Sequence, residues 1–594
     1  MPSKKSYLPV RSQWLLLSTI LLLGLFFRFA NLADRVFWVD EVATAIRISG
    51  HTIESITQDL VTQQTTTARD LLDYQFAQSD LPTTWQALTS SPEHAPLFFL
   101  LTRLWTDLSG YSPVTMRVLA ATISLIALPT LYWLLQELFA SHLISFLGVM
   151  LMSVSPFFVA YAQEARPYSL WTVSILLMSA SYSRAITKDR YQQWVVYSLA
   201  LACAFYTSLL SFLVTAGQGL YLLLGKHQNK LAIVQKYLLS NLIALILFAP
   251  WIYVMLTGLN SLESNTAWMR TNLDFSALVA SWIGAILLIF GDLPLSPKVN
   301  AIQTAIAISL IISCLSLGFI LKKSWHLLSL HQQQILSRAI IVASSLTLVG
   351  LLAVKDSLAV DSITLVGAIV GIFILGLASY SLYYLTQTTK QNQWLFIWCL
   401  LVAVPFPLLI SDLLFQGQSS GAPRYFIPTQ LGIQIAVAYT LGKKLSESQE
   451  HSTKKLIWIK LIIVAFISLG IFSCMRNLDI SPIYVKSRNV HNPEIAEIIN
   501  QQPQALVLLE PQAVGDILSL AHSLHPDTRV SILSDRSKEK TCYKESTCYL
   551  IKPSAQLKTR LKNDPIYKLQ PIYQPRLFTS EQITLDLWQI TTDD

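Results

Sequence analysis

The chain is divided into long apolar runs joined by short loops, and the loops alternate in charge. SRAITKDR, GKHQNKLAIVQK, KKSWHLLSLHQQQILSR and GKKLSESQEHSTKK carry clustered lysines and arginines, and all fall on one side of an alternating path. A helix that crosses hydrocarbon needs about 20 mostly apolar residues, and short basic loops stay cytoplasmic. The pattern therefore restricts the chain to a bundle of membrane helices with a fixed orientation. Only 13% of the 594 residues are charged and the mean hydropathy is +0.47, against roughly 25% charged residues in a soluble domain. The formal charge of +8 follows from the basic loops and does not point to nucleic acid.

Thirteen spans are predicted, over residues 12–30, 114–136, 142–160, 168–185, 192–208, 210–224, 237–256, 301–321, 338–354, 361–385, 393–411, 427–442 and 456–474. The N-terminus MPSKKSYLPVRSQ and the apolar WLLLSTILLLGLFF resemble a signal sequence, but no small-x-small cleavage site follows. An uncleaved first span with a cytoplasmic N-terminus is expected. Thirteen crossings then place the chain from Met475 onward on the opposite face. Segments 95–108 and 276–291 are apolar but short, and are read as interfacial or re-entrant helices. Residues 31–113 form one large external loop, in which VATAIRISGHTIESI has the spacing of a helix lying on the membrane surface.

After residue 474 the period changes. ALVLLE, TRVSIL, CYLIK and ITLDLWQI read as strands, and QAVGDILSLAHSL and PSAQLKTRLK as helices. The fold class expected is thus mainly α, a polytopic bundle over 1–474 with a small extracytoplasmic α/β domain over 475–594. Cys542 and Cys548 are the cysteines in a polar setting, and both a local disulfide and two free thiols stay open. Nothing resembles a GxxxxGK[ST] phosphate loop, which disfavours chemistry driven by nucleotide hydrolysis.

Four polar clusters map to the external face. Asp40 and Glu41 directly follow the first span, where poor solvation raises a carboxylate toward the range of a general base; the plainer reading is that they favour the start of a helix near Val42. His94, in Glu93-His94-Ala95-Pro96-Leu97, is a candidate for an acceptor or a metal, or a structural histidine. Glu164 and Arg166 end the third span, either as functional groups or as a mutual ion pair. Arg424 and Tyr425, in Gly421-Ala422-Pro423-Arg424-Tyr425-Phe426, offer a forked cation suited to a phosphate. Convergence of clusters from separate regions on one face is how a site in such a fold is built.

The succession FFRFANLADRVFWVDE, HAPLFFLLTRLW, MRVLAATISLIALPTLYWLLQELF, LMSVSPFFVAYAQEARPYSL and APRYFIPTQLG resembles the GT-C membrane glycosyltransferases. The likeness is nearest to the branch of the protein O-mannosyltransferases and the bacterial lipid A aminoarabinose transferase. It is dense over residues 22–186 and returns at 421–442. The resemblance implies a sugar donor on a polyprenyl phosphate, a lipid, glycan or protein acceptor, and an inverting transfer in a bacterial inner membrane among membrane lipids. It implies catalytic roles for Asp40, Glu41 and Glu164. Arg424, Tyr425 and Arg166 would then bind the donor phosphate, and His94 the acceptor or a metal. Relatives are divided on a divalent metal, so that cofactor stays open. His94-Ala95-Pro96-Leu97 departs from the family's His-Pro-Pro-Leu by one proline. The rival reading is a transporter or lipid flippase, whose ionisable residues would sit near mid-membrane in repeated halves. No internal repeat is visible, and Lys355, Asp356 and Asp361 are read as a short external turn.

Overall fold

The computed structural model describes residues 11–63, 65–270, 275–293, 362–451, 453–478, 486, 488–502, 504–533, 547–564, 566–574 and 585–592. Helix α1 (Arg11–Phe29) leads into a helical loop made of α2 (Val39–Ile48), α3 (Ile53–Thr62), α4 (Ala68–Phe76), α5 (Leu81–Thr89) and α6 (Leu97–Ser109). The surface helix expected over VATAIRISGHTIESI is in fact two helices. Gly50, at φ +82°, turns the chain between them, and Thr52 caps α3 by accepting from the Ser55 amide. Within α2, Glu41, Val42, Thr44, Ala45, Ile46 and Ile48 are buried against the rest of the protein.

The bundle proper begins with α7 (Pro113–Phe139). Pro113 at its first position and the Ser112 hydroxyl, which accepts from the Thr115 amide, fix its start. Next come α8 (His142–Ser153), α9 (Pro156–Ala162), α10 (Tyr168–Lys188), α11 (Tyr191–Thr207), α12 (Ser211–Leu224), α13 (Lys230–Thr257), α14 (Leu259–Asn265) and α15 (Phe275–Leu287). Beyond the gap lie α16 (Ser362–Thr388), α17 (Gln391–Val402), α18 (Pro405–Phe415), α19 (Ile427–His451) and α20 (Thr453–Arg476). The spans expected at 301–321 and 338–354, and the turn at 355–361, lie outside the described residues; the other expected spans fall on helices. Five helical segments are long and apolar enough to cross a membrane, and the bent pair α8–α9 makes up to six, among the described residues. The number thirteen is therefore not reproduced by length and composition alone, since expected spans such as α1 and α12 are short in their apolar helical stretch.

The bend between α8 and α9 is 58°. Pro156 brings no amide hydrogen, so carbonyls before it lose their helical donors. Arg28, buried on α1, replaces them by donating to the carbonyls of Ser153 at 2.7 Å and Met152 at 3.2 Å, as well as to Gly24 and Ser124. The Ser155 hydroxyl and the Phe157 amide donate to the carbonyls of Ile289 and Leu288, just beyond α15. Two neighbouring helices come close enough to seal the break only because they present glycine there. A Cβ on Gly24 would stand 2.6 Å from the Ser153 carbonyl oxygen, and one on Gly470 2.5 Å from that of Val154.

After α20 come α21 (Asn492–Asn500), α22 (Val514–Leu520) and α23 (Ala555–Asn563), around strands β2 (Leu506–Leu509), β3 (Arg529–Ile532), β4 (Cys548–Ile551), β5 (Tyr567–Tyr573) and β6 (Leu587–Thr592). Parallel β3, β2 and β4 form the centre, and their continuous apolar runs suit strands covered on both faces. The sheet order is β1-β3-β2-β4-β6-β5, and β1 is Thr66–Thr67 of the first loop, antiparallel to β3. The tail is therefore not closed on itself at residue 475: its sheet takes an edge strand from the loop after α1. Cys548 is disulfide-bonded; Cys542 lies outside the described residues.

The close approach at Gly24 is testable against Gly376, whose Cβ would meet nothing within 4 Å among the described residues. Gly24→Ala should destabilise the detergent-solubilised protein by about 1–3 kcal/mol through overpacking. Gly376→Ala should leave the thermal midpoint unchanged or raise it. Equal midpoints for the two variants would contradict the packing described.

Candidate active site

Helix α2 starts at Val39, so Asp40 and Glu41 occupy its first turn, where the positive end of the helix favours acids. Successive residues on a helix point about 100° apart, and the two carboxylates accordingly enter different surroundings. Glu41 turns inward and is fully enclosed. Arg117 of α7 grips it with Nε and Nη2 at 2.7 Å each, Lys486 donates to Oε2 at 2.6 Å, and the Ala165 amide donates to Oε1 at 3.0 Å. Burial opposes its ionisation, but Arg117 and Lys486 prevail and hold the carboxyl at about 2. Asp40 remains a quarter exposed, with its Oδ2 4.0 Å from Nη2 of Arg424.

Arg424 reaches that position through a braced loop. The two carboxylate oxygens of buried Asp412 accept from the Ser419 and Ser420 amides at 2.9 and 2.6 Å. Trp282 and Ser281 of α15 donate to the carbonyls of Ser420 and Gly421. A 3-10 turn, Pro423–Phe426, then presents Arg424 over the rings of Trp38 at 5.8 Å and Tyr425 at 5.5 Å. The short apolar segment expected to re-enter or lie in the interface thus acts as a buttress for this loop.

The turn after α9 supplies the third side. Gln163 donates to the carbonyls of Phe27 and Ala30, tying the turn to the end of α1. Arg166 donates to the Asp40 carbonyl at 3.2 Å and to the Thr44 hydroxyl at 3.3 Å, and lies 5.9 Å from the Phe99 ring. Glu164 does not pair with Arg166. It is fully buried, and neither carboxylate oxygen has a hydrogen-bond partner among the described residues. Burial pushes this carboxyl up to about 8, with Glu41 and Asp40 raising it further and Lys486 and Arg424 opposing. Near neutral pH it is a protonated acid, and so a hydrogen-bond donor.

His94 precedes α6, beside Phe99 at 5.9 Å. Burial and the charges of Arg47, Arg166 and Arg424 hold its imidazole well below its ordinary range, hence neutral. The residues present do not fit a divalent metal. Arginines face the only histidine of the group, and no cluster of three or more His, Cys, Asp or Glu occurs among the described residues. A site rich in fixed cations suits an anion instead.

Asp40, Glu164, Arg166, His94, Arg424 and Tyr425 are thus gathered in one region, while Glu41 is turned away from it into a salt-bridge cluster. Sequence reasoning left out Arg47, Arg117 and Lys486. An arginine near the end of an apolar run is a readable signal for Arg117; a single lysine in the tail gave none for Lys486.

Residues 93–254 match the family model described as dolichyl-phosphate-mannose-protein mannosyltransferase. Over that segment the chain is similar to this family. The mannosyltransferase-like segment carries His94, Glu164 and Arg166, whereas Asp40 and Arg424 lie outside it. No curated protein matches. Among solved structures the chain is similar to ArnT from Cupriavidus metallidurans bound to undecaprenyl phosphate, at 12% identity and TM-score 0.40, over 98% of each chain. It is also similar to the S. cerevisiae protein O-mannosyltransferase Pmt1-Pmt2 complex bound to the sugar donor, at 14% identity and TM-score 0.28, over 43% of this chain and 35% of that one.

Two measurements test the opposite environments of the neighbouring acids. Glu41→Gln leaves Arg117 and Lys486 uncompensated in the interior and should cost about 3–5 kcal/mol, seen as a large fall in the thermal midpoint. Glu164 has a raised pKa, so its ionisation penalty is absent below about 4.5, grows as pH rises and is complete above about 8. Glu164→Gln should remove that slope, giving a midpoint that exceeds wild type at pH 8.5 but not at pH 5.

Proposed function

We propose that the chain transfers a sugar from a polyprenyl-phosphate donor to an acceptor hydroxyl or amine on the extracytoplasmic face, with inversion at the anomeric carbon. The observation that carries this reading is the approach of Asp40 to Arg424 at 4.0 Å. A carboxylate and a forked cation are brought together from opposite ends of the chain, with Arg166 bonded to the same residue. In the proposed step the acceptor's lone pair attacks the anomeric carbon and its proton passes to Asp40. The bond between that carbon and the phosphate oxygen breaks, and its electron pair leaves with the lipid phosphate. Arg424 and Arg166 offset the charge that collects on the phosphate as the bond opens. Tyr425 lines the phosphate side, and neutral His94 offers a donor or acceptor to the incoming nucleophile. Glu164, as a neutral acid, donates a hydrogen bond without adding negative charge beside the leaving phosphate. Glu41 is assigned to holding α2 in place, since both of its oxygens are occupied. No metal is required in this step.

The packing of the first loop against the tail supports a common side for both, consistent with thirteen crossings, a cytoplasmic N-terminus and a bacterial inner membrane. A disulfide at Cys548 suits an oxidising compartment for that side. The transport reading receives less support: the carbonyls freed at the break between α8 and α9 are taken by Arg28 and not left to coordinate an ion.

The test uses purified protein in lipid with mannose, glucose or aminoarabinose carried on undecaprenyl phosphate. Wild type should consume one of these donors. Asp40→Asn should lower turnover at least about 100-fold, and Arg424→Ala comparably, with folding intact. Undiminished turnover in Asp40→Asn would remove it as the base.

A further inference from the structure

Residues of the tail join Arg117, Ala165 and Arg166 in holding the segment that carries Asp40. Trp38, the residue before α2, makes no side-chain capping bond to it. The amide of Val39, first in the helix, instead donates to the Oδ1 of Asn489 at 3.0 Å. The Ser519 hydroxyl donates to the Phe37 carbonyl at 2.6 Å, and Lys486 Nζ donates both to the Val36 carbonyl and to Glu41, at 2.6 Å each. Asn489, Ser519 and Lys486 are all buried. Behind Asn489 stands a second buried charge cluster. Its Nδ2 donates to Asp516 at 3.3 Å, and Asp516 is gripped by Arg488 at 2.7 Å through two nitrogens and by Lys552 at 2.9 Å. Lys552 follows β4 and Asp516 lies on α22, so this anchor belongs to the sheet unit itself.

An amide at a helix start that lacks a local cap needs a partner from elsewhere, and the cap fixes the direction in which the first turn leaves. Asp40 is the next residue. We propose that the tail is the positioning element of the site: Asn489 caps α2 from a distant part of the chain, and Ser519 and Lys486 clamp the strand leading into it, so that Asp40 meets the substrate in one orientation. The functional half of this inference rests on the assignment of Asp40 as the base; the structural half does not. The tail is thereby more than a passive cover. It acts through Val36 to Glu41.

The experiment uses the full chain in lipid, with undecaprenyl-phosphate sugar as donor and amide hydrogen exchange read by mass spectrometry. Asn489→Ala should speed exchange in the peptide spanning residues 37–44 about fivefold, the effect of a lost cap. It should also lower kcat several-fold while the KM for the donor is unchanged. Ser519→Ala, a milder change, should move both readouts in the same direction. Leu561→Ala, in the apolar core formed with Leu506, Leu508 and Leu557, should lower the thermal midpoint without changing exchange in residues 37–44 or kcat per folded molecule. Unchanged exchange in both Asn489→Ala and Ser519→Ala would overturn the cap. Faster exchange with undiminished kcat would overturn the positioning role. Faster exchange in a protein whose wild type transfers no sugar would uphold the cap and remove the glycosyltransferase reading alone.

Discussion

Glu41 joins three parts of the chain that are far apart in sequence. Its two oxygens take Arg117 from the bundle, Lys486 from the tail and the amide of Ala165 from the turn after α9. Arg117 goes on to donate to the carbonyls of Leu32, Arg35 and Val36, so the same pair also holds the turn between α1 and α2. One carboxylate with two cations leaves an excess positive charge in the interior. Such a cluster survives because the remaining donors of Arg117, and Lys486 as well, find backbone carbonyls. The cost of that arrangement is evidence for what it achieves: the loop, bundle and tail are fixed in register at the point where the site is assembled.

The second constraint is the interruption at residues 153–156. A straight helix would have no free carbonyls and no need of Arg28. A broken one needs both a donor and close neighbours, and Gly24 and Gly470 allow α1 and α20 to approach from two sides. The bend also sets where α9 ends, and hence where Gln163, Glu164 and Arg166 emerge. Ser155 and Phe157 bond the break to the residues after α15, whose own Ser281 and Trp282 brace the loop bearing Arg424. Arg166 and Arg424 are therefore both referenced to the same break.

Much of this was legible in the sequence because bilayers impose one rule on every residue of a span. The apolar runs found the long helices of the bundle among the described residues, though not α4, α5, α14 or α21; the tail's β2, β3, β4 and β6 followed from their apolar runs and flanking turns, and the polar clusters near Asp40, His94, Glu164 and Arg424 come together. What the sequence hid was of two kinds. Distances across the fold have no local signature: Lys486 sits in the tail with nothing beside it to say that Glu41 is its partner, and the two-residue strand Thr66–Thr67 is too short to show a period. Helix ends were hidden as well. VATAIRISGHTIESI carries one continuous apolar spacing, yet Gly50 divides it, and Asp40 and Glu41 look interchangeable until the first turn of α2 separates them.

That separation explains how three neighbouring carboxyls avoid defeating one another. Asp40, Glu41 and Glu164 lie in one region, and three full negative charges there would repel both each other and an anionic leaving group. Glu41 is neutralised by two cations. Glu164, buried without a hydrogen-bond partner among the described residues, is kept protonated. Asp40 alone faces the open side, with Arg424 near enough to balance it but, at 4.0 Å, not bound tightly enough to occupy both of its oxygens. The environments differ because one residue starts a helix pointing outward, its successor points inward, and the third sits fully buried on the turn after α9. A single accessible carboxylate against a wall of arginines is what remains, and that asymmetry suits removing a proton on one side of a sugar while an anion departs on the other.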